Sequence, residues 1–276
     1  MSQLQELSNT LRKDILFMVY TAQSGHIGGP FSMIDFMTTL YFGMTEDKKY
    51  FLNYDKENPN NPDNDYVIIS KAHCSPAMYS ILAKIGYIDT RELENFRKLH
   101  SLLQGHITTK IPTAHVSGGS LGQGLSFANG LALGLRIDKK DNKVWCIVGD
   151  GELQEGQIWE AIMTARHYEL SNIRLVVDRN YVQIDGHVEN IMRVEDVETK
   201  LKAFGWNTIS IKEGNNIDAI LEGLEKEHSY NENKPLAIIL HTVKGKGVSF
   251  MENTHEWHGK PPNTEQYEAA LKELEG

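Results

Sequence analysis

The chain has 276 residues, enough to bury a full core, and one large α/β domain is as open to it as two small ones. Hydrophobic residues at 40% and charged residues at 24% exclude a disordered or fibrous chain, while a formal charge of -9 without any Lys/Arg stripe argues against a nucleic-acid partner. No window approaches the roughly 18 uninterrupted apolar residues of a membrane helix, and the opening MSQLQELSNTLRKD lacks a signal-peptide core, so a cytoplasmic protein with one domain over residues 1–276 is expected.

Leu4, Leu7, Leu11, Ile15 and Met18 recur at steps of three and four, which predicts an amphipathic helix running toward Thr21. After the glycine-rich SGHIGGP loop a second helix is predicted from about Ser32 to Tyr41, with Ser32 as its N-cap. Residues 50–65 crowd Asn, Asp and Pro into a surface loop, and Val67 to Ile69 then reads as a short buried strand. A helix from about Ser75 to Ile85 comes next. Asp89 with Glu92 offers a capping box for another helix ending near Leu99, and His100 to Ser120 reads as irregular loop.

From Gly119 to Leu135 the pattern is helical but carries glycines at 122, 124, 130 and 134, each costing about 1 kcal/mol against Ala, which implies a close neighbour. Val144 to Val148, Leu175 to Val177 and Leu236 to Leu240 are apolar without alternation, as in parallel strands covered on both faces. Helical patterns at Glu155 to Tyr168, Glu195 to Phe204 and Ile217 to Glu227 supply the crossovers. The fold class is therefore α/β, a doubly wound, mostly parallel sheet flanked by helices, with a short helix in the last fifteen residues. Cys74 and Cys146 are too few for a disulfide framework or a zinc site and read as buried thiols.

The most informative stretch is Gly149-Asp150-Gly151-Glu152-Leu153-Gln154-Glu155-Gly156, between a buried strand and a helix. Glycines let a ligand approach the backbone, and a helix start offers unpaired amides to an anion. Asp178-Arg179-Asn180 comes after the next buried strand, so Asp150 and Asn180 are expected at the tips of neighbouring parallel strands, about 5 Å apart. A carboxylate and an amide carbonyl form a hard, oxygen-only pair suited to magnesium or calcium, especially where diphosphate oxygens complete the shell. The competing reading is a plain turn at GDG with Asn180 as a cap.

GDG followed by about 28 residues and an Asn resembles the thiamine diphosphate signature, and GDGELQEGQIWEA with DRNYVQIDG resembles the transketolase family. SGHIGGPFSMIDF, SKAHCSPAMYSIL, SGGSLGQGLSFANGLALG and HTVKGKGVSFMENTHEWHG are similar to further loops of that family, in its order and over nearly the whole chain. The resemblance implies the diphosphate-binding PP domain.

Carried over residue by residue, the resemblance implies that Asp150, Asn180 and the Val182 carbonyl hold Mg2+ or Ca2+, while Gly151 offers its amide to the diphosphate of thiamine diphosphate. Leu121 and Ile184 would pack against the cofactor rings, though plain core positions compete. Gly119 and Gly124 are read as sites of close backbone approach, with tight helix packing as the rival. Glu155 would cross toward a partner subunit; otherwise it is a first-turn Glu favoured by the helix dipole. His26 and His258 would meet sugar hydroxyls and relay protons, His73 would lie beside diphosphate and substrate, and His106 would face the ketol, although GHITTK departs from the family's GHPE wording. His73 and His258 would thus touch the cofactor as well. His115, His241 and His255 receive no role.

The family also uses a pyrimidine-binding domain whose glutamate activates the cofactor, and the stop at Gly276 leads to the expectation of a complementary subunit in an α2β2 heterotetramer. The implied reaction moves a glycolaldehyde unit from a ketose phosphate to an aldose phosphate, as in the pentose phosphate pathway. A specialised enzyme for a branched or sulfonated sugar and a non-catalytic thiamine diphosphate-binding subunit are the alternatives. An α subunit of a 2-oxo acid dehydrogenase or a deoxyxylulose phosphate synthase would lack the four histidine loops. A nicotinamide Rossmann domain would need a G-x-G-x-x-G after the first strand.

Overall fold

A computed structural model describes residues 2–275. In chain order it contains α1 (Gln3–Ala22), α2 (Gly28–Phe42), β1 (Tyr66–Ile69), α3 (Ser75–Ile85), α4 (Gly124–Ile137), β2 (Val144–Gly149), α5 (Gly156–His167) and β3 (Ile173–Arg179). A two-residue hairpin, β4 (Val182–Gln183) and β5 (Gly186–His187), leads to the one-turn α6 (Val188–Ile191). Then come α7 (Val197–Ala203), β6 (Asn207–Ile211), α8 (Ile217–His228), β7 (Leu236–His241) and α9 (Thr264–Glu275).

The five longer strands form one sheet in the order β1-β2-β3-β7-β6, and every pairing within it is parallel. Side chains alternate across this sheet and feed two cores. Trp145, Ile147, Val176, Ile238 and Leu240 enter the core shared with α1, α2, α3 and α8. Val144, Cys146, Val148, Leu175, Val177 and Ile239 meet α4, α5 and α7 on the other side. Burial of both faces is why these strands read as unbroken apolar runs. Both cysteines are free and buried.

Several boundaries differ from the expectations, each for a local reason. Helix α2 begins at Gly28, so Ser32 is an interior residue; its hydroxyl oxygen lies 2.8 Å from the Gly29 carbonyl and donates its one proton to Asp178. Pro30 sits in the first turn, where a missing N–H costs nothing. Asp89 does cap, accepting from Arg91 N at 2.9 Å, but the segment it opens, Thr90–Asn95, is a 3-10 helix rather than an α-helix. The edge strand β6 has no apolar run, since four of its five residues are only half-buried. Among the described residues no helix is long and apolar enough to cross a membrane.

Candidate functional site

Parallel strands deliver their carboxyl ends to one edge of the sheet, and the loops leaving β1, β2, β3 and β7 gather there. They line a cavity of about 360 Å³ with His26, Lys71, His73, His106, Asp150, Asn180, Lys244 and His258 on its wall. His26 comes from the loop between α1 and α2, His73 from the 3-10 turn Ala72–Cys74, His106 from the irregular loop before α4, and His258 from the segment after β7. Their rings converge: His26 lies 5.0 Å from His73, 5.3 Å from His258 and 6.0 Å from His106, centroid to centroid, and His73 lies 5.1 Å from His258. Gly28 and Gly29 make this crowding possible, because a Cβ on Gly28 would lie 3.0 Å from Lys244 Cε and one on Gly29 2.7 Å from Cys74 Sγ.

Register places Gly149 beside Asp178, so Asp150 and Asn180 follow directly on adjacent strand tips. Asp150 Oδ2 accepts from Tyr181 N at 2.6 Å and from Arg179 Nη1 at 3.3 Å, while Oδ1 accepts from Gly151 N at 2.8 Å. The Gly151 amide expected to meet a diphosphate is thus turned toward Asp150. Asn180 Oδ1 accepts from Val182 N at 3.1 Å, and the Val182 carbonyl accepts from Lys244 Nζ at 2.8 Å. Burial, with Asp178 adding to it and Arg179 opposing it, lifts the Asp150 carboxyl to about 6.

Two ammonium groups stand in the same wall. Burial works against the Lys71 ammonium, yet Asp178 beside it, with Cys74 further off, keeps its pKa above the ordinary lysine value. Lys244 is drawn down to about 8, chiefly by burial. All four imidazoles are pushed toward neutrality: His26 to about 4 by burial, then His106, Arg97 and Lys244, and His258 to about 3 by burial, then Lys244 and His26. His73 is lowered by burial and by His26 and His258, and His106 by burial and Arg97. Neutral rings beside two cations make a wall that accepts anions and can also take up or give a proton.

A second layer holds the loops. The Glu152 carboxylate is buried and accepts from Gly122 N at 2.9 Å, from Gly149 N at 3.1 Å and from Ser70 Oγ, which in turn accepts from Gly124 N at 3.1 Å. Three loops are thereby pinned to one carboxylate. Lys71, Lys244, Glu152, Asp178 and Arg179 received no role from the sequence, although Lys71 stands in SKAHC, Lys244 in TVKGKG and Glu152 inside GDGELQEG. A lysine in a glycine-rich loop near a supposed anion site was the signal available.

The remaining expected residues divide. Leu121 is half-buried on the cavity wall, and Ile184 is 60% exposed there, which removes the core reading for Ile184. Gly124 is closely approached by Ser70, whereas nothing among the described residues comes within 4 Å of a Cβ built on Gly119, which borders the cavity. Glu155 is exposed, with its Cβ packed on Gly122. Among the described residues no group of three or more His, Cys, Asp or Glu could hold a metal, so a cation here would draw on amide and carbonyl oxygens as well as Asp150. That donor set fits magnesium or calcium and no soft metal. The two lysines and the buried, unpartnered Nδ1 of His26 fit an anionic, hydrogen-bonding cofactor.

The family model described as transketolase, thiamine diphosphate binding domain, matches residues 4–275. A subunit of the apulose-4-phosphate transketolase of Phocaeicola vulgatus is 36% identical over 272 residues, which cover 99% of this chain and 93% of that protein. The 6-deoxy-6-sulfo-D-fructose transketolase subunit SqwG of a Clostridium species is 37% identical, covering 99% of this chain and 96% of the relative. The crystal structure of transketolase from Campylobacter jejuni superposes with a TM-score of 0.88 at 32% identity, covering all of this chain but 43% of that one.

Proposed function

The chain belongs to the transketolase family, and we propose that it is the diphosphate- and metal-binding half of a two-subunit transketolase moving a two-carbon ketol unit from a ketose phosphate to an aldose phosphate. The observation that carries this reading is the meeting of two ammonium groups, four neutral imidazoles and the oxygens of Asp150, Asn180 and Val182 around one cavity. Thiamine diphosphate, when bound, supplies the electron sink for carbon–carbon cleavage. Lys71 and Lys244 would neutralise its phosphate charge, and Asp150, Asn180 and the Val182 carbonyl would hold Mg2+ or Ca2+ beside it. His26 and His258 would meet sugar hydroxyls and relay protons, His73 would lie beside diphosphate and substrate, and His106 would face the ketol. Leu121, Ile184 and Gly119 would border the rings.

Relatives of nearly the same length carry the word subunit in their names, which supports a separate complementary chain. We infer that this chain carries the pyrimidine-binding domain and joins the present one in an α2β2 assembly in the cytoplasm. Glu155, exposed at the start of α5, would reach toward that chain. The names of those same relatives favour a second reading of the substrate, a branched or a sulfonated sugar in place of an ordinary sugar phosphate. Calorimetry of thiamine diphosphate binding in MgCl2, followed by a ketose panel on this chain mixed with the complementary subunit, tests the proposal. Cofactor uptake and ketol transfer by the mixture are expected. No uptake by the mixture, or full transfer by this chain alone, would overturn it.

A further inference from the structure

Asp178 is the last residue but one of β3, two residues before Asn180, and is fully buried. Its Oδ2 accepts from Asn180 Nδ2 at 3.0 Å and from Ser32 Oγ and Lys71 Nζ, and its Oδ1 accepts from Thr242 Oγ1. These donors come from four segments of the chain, so the carboxylate cannot turn.

An ionised carboxylate only accepts hydrogen bonds. The end of the Asn180 amide turned toward Asp178 has to be its NH2, because a flipped amide would set carbonyl oxygen against carboxylate oxygen. Val182 N–H, 3.1 Å from Asn180 Oδ1, enforces the same sense from the other side and leaves that carbonyl a second lone pair. We propose that Asp178 is a positioning residue that fixes which end of Asn180 is offered, with Asp150 and the Val182 carbonyl, to a divalent cation. The inference rests on the reading of those three groups as a cation site. Lys71 is the buried ion-pair partner of Asp178, which ties the cavity wall to the orientation of the amide.

The test is calorimetric titration of MgCl2 into the full chain with thiamine diphosphate present, alongside thermal unfolding. Asp178→Asn keeps the size but presents either end of an amide, so Mg2+ affinity is expected to fall roughly ten- to hundredfold. The exchange variant D178N/N180D puts a carboxylate at 180, which has no wrong end and needs no orienting. It is expected to recover most of the affinity although the Lys71–Asp178 pair is still lost. Wild-type affinity in D178N would overturn the inference, as would an exchange variant no better than D178N, since that would mark a merely structural role. Absence of Mg2+ and thiamine diphosphate binding by the unaltered chain, alone and with its complementary subunit, would instead overturn the functional proposal beneath it.

Discussion

Lys244 Nζ lies 2.8 Å from His258 Nδ1 and donates to it, so the imidazole is neutral and carries its proton on Nε2. Burial, followed by the ammonium itself, holds His258 down to about 3. Protonating that ring would remove the acceptor and place a second positive charge beside the first. Lys244→Met is therefore expected to raise the His258 pKa by about one pH unit or more, read from its NMR titration. An unchanged titration would mean that the two groups are apart in solution.

Acid should act on this wall through His26. An unfolded imidazole titrates near 6.5, whereas burial, then His106 and Arg97, draws His26 to about 4 in the fold. Between those values the unfolded chain binds more protons, so stability falls as pH drops through that window. His26→Gln removes this one contribution. The stability difference between wild type and variant, from urea unfolding, should shift in favour of the variant between about pH 7.5 and about pH 5. A difference that stays constant would contradict the neutral, buried assignment of the ring.

Asp150 has the opposite sign. Its carboxyl is raised from 3.8 to about 6, chiefly by burial, so its contribution to stability is lost as pH rises through about 6. At about pH 7.5, Asp150→Asn without ligands should melt no lower than the wild type. In the wild type, Mg2+ with thiamine diphosphate at 100 times Kd should add about 2.7 kcal/mol, and the variant should show no such gain. Differential scanning fluorimetry reads both effects. An equal upshift in the variant would remove Asp150 from the ligand site.

Two glycines of α4 make contrasting cases. A Cβ at Gly124 would lie 2.5 Å from Ser70 Cβ and Oγ, inside the tie that joins Ser70 to Glu152, and one at Gly130 would meet nothing within 4 Å. Gly124→Ala is expected to cost about 1–3 kcal/mol through overpacking. Gly130→Ala is expected to stabilise the separate chain by up to about 1 kcal/mol through helix propensity. Chemical denaturation of the two variants decides it, and equal effects would contradict the packing described.

The glycines also show how far a single sequence reaches. Their cost in a helix correctly signals close approach at Gly124, whereas Gly122 lies before α4, in a turn with a φ of +84° where a Cβ would come 2.8 Å from Glu155 Cβ. The same argument fails at Gly130 and Gly134, where a Cβ would meet nothing within 4 Å among the described residues. Composition along a helix reports that a residue is unfavourable, but not where its compensation lies.

From the order of residues alone came the parallel sheet, because strands buried on both faces must be apolar throughout, and the adjacency of Asp150 and Asn180, because a βαβ unit sets them on neighbouring strand tips. Strand β6 stayed hidden because an edge strand with a half-exposed face carries no such run. Folding alone decided that Lys71 and Lys244, 173 positions apart, would stand in one wall, that Asp178 would accept from Asn180, and that burial would lower the pKa of four imidazoles. Those properties depend on burial and on partners brought from distant segments, and neither quantity is written in local sequence.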